Sequence, residues 1–228
     1  MLFRSGSPAY NVPLAYQLDG PLDVPVLQRA LNLLVARHEP LRTTIHSSEG
    51  TPVQSVQPAR PVELAVVEAQ EDPEELLRRE AQRSFDLARD PMLRALLVRL
   101  GHHRHVLLLT VHHIATDGWS IGILFRELSE AYSAYAAGRE PALAALPVRY
   151  ADFALWQREW LRGERLEAQV AYWRQQLAGA PALDLPADRP RPARQSTRGA
   201  REVVGLSDRK STRLNSSHIQ KSRMPSSA

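Results

Sequence analysis

The chain has 228 residues, 43% of them hydrophobic, with no cysteine and a formal net charge of +4; the length allows a buried core, and the missing thiols exclude a disulfide framework or a cysteine-ligated metal. Of the 29 basic and 25 acidic side chains, five basic and one acidic lie at or beyond Asp208, so residues 1–207 are neutral. The remaining arginines are spread among acids, as in Arg78-Arg79-Glu80. That pattern describes a solvated face and leaves no basic footprint for nucleic acid.

In chain order, Val24, Leu27, Leu31, Leu34 and Val35 recur at helical spacing and predict a helix over 24–37 with one buried face, with Asp23 as its N-cap. Short strands are expected at 41–45, 53–56 and 62–67, and a charged amphipathic helix over 73–85. Residues 94–100 read as a further strand. A hairpin turn at 101–104 follows, with His102 and His103 in solvent. Residues 106–111, Val-Leu-Leu-Leu-Thr-Val, have no Gly or Pro and read as a strand buried on both faces. A helix over 120–137, a loop at 138–147 and a long helical stretch over 150–177 come next, with Trp156, Trp160 and Trp173 expected as core anchors. Prolines from 181 to 192 predict an extended surface connector, and residues 201–206 a strand. The domain boundaries expected are a lobe over 1–178, a connector with the start of a crossing strand over 179–207, and a tail over 208–228.

The chemistry-bearing stretch follows the buried strand: Val111-His112-His113-Ile114-Ala115-Thr116-Asp117-Gly118-Trp119-Ser120. Adjacent strand residues point to opposite faces, so one histidine should face a cleft and the other the packed interior. A neutral imidazole held in the right tautomer is a competent general base near neutral pH. Packing or hydrogen bonding is the alternative role for such a pair. Asp117-Gly118 reads as a tight turn, with the glycine allowing close approach of a ligand to backbone. Histidine spacing elsewhere does not make a metal site.

His112-His113-x-x-x-Asp117-Gly118 resembles the signature of the condensation domains of nonribosomal peptide synthetases, within the chloramphenicol-acetyltransferase-like superfamily. Three further segments resemble that family in the same order: Arg37-His38-Glu39-Pro40-Leu41-Arg42-Thr43-Thr44, Tyr150-Ala151-Asp152-Phe153-Ala154-Leu155-Trp156-Gln157-Arg158, and Leu185-Pro186-Ala187-Asp188-Arg189-Pro190-Arg191-Pro192. So do Tyr10-Asn11-Val12-Pro13 and Leu18-Asp19-Gly20-Pro21-Leu22-Asp23.

The resemblance implies an α/β (α+β sandwich) fold, the N-terminal lobe of a two-lobed domain with a mixed sheet flanked by helices. It places His113 at the reacting centre, as general base or as the group that positions an amine. His112, Asp117, Gly118, Trp119 and Arg42 become motif scaffold and channel. Asp117 is then expected to pair with Arg42, and Gly118 to lie against the substrate channel and tolerate no side chain. The implied reaction joins a carrier-bound acyl or peptidyl thioester donor to an aminoacyl acceptor through an amide, with a donor of L configuration. Its partners are upstream and downstream peptidyl carrier proteins and the adenylation domain of the same module. No metal or cofactor is bound directly, the substrates riding on phosphopantetheine of the carriers. Nucleic acid and membrane are not expected as partners. With no signal peptide and no apolar run of bilayer length, a soluble cytoplasmic protein is expected.

The family's first motif and the motifs of the second lobe do not occur, so half an active site, inactive alone, is the expectation. Both lysines, Lys210 and Lys221, lie in the tail. Residues 208–218, Asp-Arg-Lys-Ser-Thr-Arg-Leu-Asn-Ser-Ser-His, resemble the translation of a common DNA-sequencing adapter, so the tail is expected to be adapter-derived or disordered. Two rival functions stand beside amide formation. One is an ester-forming acyltransferase of the same superfamily; the other is a non-catalytic carrier-protein docking lobe.

Overall fold

A computed structural model of the protein describes residues 6–69 and 72–181. The expected connector from 182, the strand at 201–206 and the tail at 208–228 lie outside the described residues. A mixed sheet carries the fold. Strands β1 (Asn11–Asp19), β4 (Leu64–Glu68), β5 (Leu93–Gly101) and β6 (Arg104–His112) are ordered β1-β6-β5-β4. β6 pairs antiparallel with both neighbours, and β4 runs parallel to β5. The β5–β6 turn leaves His102 and His103 exposed, as expected, while His105 is buried.

Both faces of β5 and β6 are covered, which is why residues 106–111 carry no polar alternation. Leu93, Ala95, Leu97, Leu107, Leu109 and Val111 point to one face. Helices α1 (Val24–Arg37) and α3 (Gly118–Ala136) pack there, through Leu27, Leu31 and Leu34 of one and Leu124, Leu128 and Ala131 of the other. Leu96, Val98 and Leu108 point to the opposite face, beneath Leu76 and Leu77 of α2 (Pro73–Ala81). The entry to α1 is as the sequence predicts: the Asp23 carboxylate accepts from the Val26 N–H at 3.0 Å.

Several boundaries differ from the sequence expectation. Residues Glu39–Arg42 form a 3-10 turn, so β2 begins only at Thr43 (Thr43–Ser48) before pairing with β3 (Thr51–Val56) in a separate hairpin. The α2 helix stops at Ala81 rather than 85. The Asn11 side-chain amide donates to the Ala81 and Arg83 carbonyls at 2.7 and 2.9 Å, ending the helix. Phe85 is thereby released into a buried cluster with Leu87 and Met92.

The stretch 150–177 is two helices, α4 (Tyr150–Trp160) and α5 (Gly163–Gln176). Its tryptophans are not core anchors: Trp156, Trp160 and Trp173 are 55%, 37% and 56% exposed. Helical spacing fixes which side chains share a face, and no other described element covers this one.

Candidate active site

β6 delivers the histidine pair. His112 is its last residue and lies on the α2 side of the sheet, buried, with its ring edge-on to Phe85 at 5.6 Å between centroids and 6.1 Å from Tyr10. The Ile114 N–H donates to His112 Nδ1 at 3.1 Å, which fixes the neutral tautomer with its proton on Nε2. Burial, and then the neighbouring His113, push the His112 imidazole below its ordinary 6.5. The sequence expectation of one inward and one outward histidine is met.

His113 sits just past the strand, in the turn, and its side chain is exposed. Its backbone N–H donates to the Tyr10 carbonyl at 2.8 Å, tying the turn to the residue before β1. The imidazole lines a cleft of about 200 Å³ with Pro40, Thr116, Asp117, Ser120 and Tyr150.

Asp117 has a different role from the one the motif resemblance implies. It is the N-cap of α3, its Oδ1 accepting from the Ser120 N–H at 2.8 Å and from the Ser120 hydroxyl at 2.6 Å. These bonds, the hydroxyl first, hold its carboxyl below the ordinary carboxylate value. The carboxylate is exposed, so it needs no buried counter-ion, and the expected Asp117–Arg42 pair does not form. Arg42 instead donates to the Gln57 carbonyl and stands 3.7 Å from Glu39.

Gly118 is likewise corrected. It is the first residue of α3, its φ is not positive, and a Cβ there would meet nothing within 4 Å. Among the described residues nothing demands glycine at 118. Trp119, 83% exposed, projects from the same helix start.

A second cavity of about 250 Å³ adjoins the His113 cleft, Pro40, Ala115, Thr116, Ser120 and Tyr150 lining both. Behind it lies a buried ionic cluster that motif reading missed. Glu127 of α3 accepts from Arg37 Nε at 3.0 Å and from His38 Nε2 at 2.7 Å. The legible signal was an acid placed between Leu124 and Leu128 on the apolar stripe of α3. Arg37 also donates to the Ala144 carbonyl, and Arg149 pairs with Glu39 at 2.8 Å, so the 138–149 loop is fastened over the end of α1. Among the described residues no group of His, Asp or Glu side chains is arranged to hold a metal, and no helix is long and apolar enough to cross a membrane.

The family profile described as Condensation domain matches residues 2–223. The chain belongs to the condensation-domain family. Condensation-domain relatives include a linear gramicidin synthase of Brevibacillus parabrevis, 46% identical over 210 residues, covering 88% of this chain and 3% of that protein. The probable non-canonical nonribosomal peptide synthetase CymA of Salinispora arenicola is 49% identical over 204 residues, 86% of this chain and 3% of that protein.

Among solved structures, the X-domain from teicoplanin biosynthesis superposes with a TM-score of 0.74 at 41% identity, covering 83% of this chain and 43% of that one. The first condensation domain of the calcium-dependent antibiotic synthetase, in complex with a substrate analogue, gives 0.68 at 31% identity, covering 77% and 44%. The chain thus spans a few per cent of its curated condensation-domain relatives and less than half of those solved chains. The expected fold, a mixed sheet flanked by helices as in condensation-domain structures, is present.

Proposed function

We propose that this chain supplies the histidine-bearing half of an amide-forming condensation site, working on donor and acceptor thioesters carried on phosphopantetheine arms of two carrier proteins. The observation that carries the reading is the division of the histidine pair. His112 is buried and fixed in one tautomer, while His113 lines an open cleft at the strand end. In that reaction the acceptor amine attacks the donor carbonyl. The C–N bond forms, the C–S bond breaks, and the amine proton ends on the departing thiol.

Aminolysis of a thioester is favourable in itself, so holding the two reactants together supplies much of the rate. His113 acts by accepting a hydrogen bond from the attacking amine and orienting its lone pair. His112 supports the turn from below, Asp117 closes the α3 terminus, and Arg42 fastens the 3-10 turn whose Pro40 lines the cleft. Trp119 and Gly118 border the entrance. The adenylation domain and carriers of the same module are the partners this reading requires.

The test uses the full-length synthetase that carries this chain, with loaded carrier proteins. His113→Ala is expected to abolish amide formation while circular dichroism and melting are unchanged; near-normal turnover by the variant removes His113 from the site.

A second reading has its own support. The X-domain from teicoplanin biosynthesis, 41% identical to this chain, is known in complex with OxyB. On that reading the lobe docks a protein, and His113→Ala changes neither binding nor any product.

A further inference from the structure

We propose that the cavity beside the His113 cleft is the seat of an apolar side chain of one thioester substrate, and that Ile123 and Val148 set which side chains it takes. The proposal rests on the amide-forming reading above and adds to it the recognition of the substrate side chain.

Three observations carry it. First, position: the cavity and the cleft share Pro40, Ala115, Thr116, Ser120 and Tyr150, so a group held in one is adjacent to His113 in the other. Second, size: about 250 Å³ lies below the range of pockets that enclose a whole small molecule, and suits a single side chain whose backbone stays in the cleft.

Third, chemistry. Its apolar surface comes from Leu41, Ile123, Leu124, Leu146 and Val148. The ionic side chains on its wall are already engaged: Arg37 and His38 with Glu127, and Glu39 with Arg149. The Ser120 hydroxyl is given to Asp117. A charged or amide side chain entering there would lose its water and gain little in return. An apolar one would gain by burial.

Ile123 and Val148 are the levers because neither is in the buried core. Ile123 lies one turn beyond Ser120 on α3, and Val148 is 59% exposed on the fastened loop.

The experiment uses the full-length synthetase with loaded carriers, comparing leucyl with alanyl substrates, first on the acceptor carrier and then on the donor carrier. Val148→Trp and, separately, Ile123→Trp fill the cavity. The expected result is a fall of tenfold or more in the leucyl-to-alanyl ratio of kcat/KM, on one carrier arm, with alanyl turnover retained. Unchanged ratios on both arms in an active enzyme overturn the pocket while amide formation stands. A wild-type enzyme that makes no amide with any pair overturns the reading beneath it and the pocket together.

Discussion

His38 Nε2 lies 2.7 Å from Glu127 Oε2, joining the residue that closes α1 to the middle of α3. The same carboxylate oxygen accepts from Arg37 Nε, and Glu127 is 8% exposed. Glu127→Ala leaves the Arg37 guanidinium, itself 16% exposed, without its counter-ion. The expected loss is about 3 kcal/mol of unfolding free energy, measured by urea denaturation. Replacing both partners by apolar residues, Arg37→Met with Glu127→Leu, should recover most of it, and a double variant no better than the single one would speak against a buried pair.

His112 should titrate late. Its imidazole is held below 6.5 by burial and by His113, and its Nδ1 is occupied as an acceptor. The unfolded chain binds that proton first as pH falls. The stabilisation is therefore complete above about pH 6.5 and drains away as pH drops through the folded-state value. Imidazole proton shifts followed by NMR should place the His112 midpoint below that of the exposed His102; a midpoint at or above it contradicts the buried neutral tautomer.

Asp117 is expected to behave as a helix cap and not as a salt-bridge partner. Asp117→Ala should cost about 1 kcal/mol, and Asp117→Asn only a fraction of that, because the amide oxygen still accepts from the Ser120 N–H. The carboxyl is held below its ordinary 3.8, so its contribution is present above that value and is lost as pH falls through the lowered one. Arg42→Gln should leave this acid response intact. Loss of the response in that variant would restore the ion pair.

All four tryptophans are solvent-facing, Trp119 most of all. Along α4, rings stack in sequence, with Phe153 5.7 Å from Trp156 and Trp156 5.8 Å from Trp160. The emission of this chain should be red-shifted and strongly quenched by acrylamide. In the full-length synthetase, emission from Trp156 and Trp173 alone, isolated by replacing the other tryptophans, should be bluer and harder to quench if further chain covers α4 and α5. An unquenchable signal from the isolated chain contradicts the exposed face.

Much of this protein is legible in the sequence because the deciding forces are local or periodic. Helix α1 and its Asp23 cap follow from apolar spacing and one carboxylate within reach of a free N–H. The doubly buried β6 follows from an unbroken apolar run, and the motif histidines follow from their place at its end.

Other features are set by groups distant in sequence, and only the tertiary structure decides them. Asn11, 70 residues from Ala81, stops α2 and frees Phe85 to pack against His112. Glu127 finds Arg37 and His38 some 90 residues away. Asp117 caps its own helix because that helix begins at the next residue, which leaves Arg42 to the Gln57 carbonyl. The tryptophan face makes the same distinction. Its periodicity is written in the chain, but burial depends on a covering surface, and no neighbouring element among the described residues provides one.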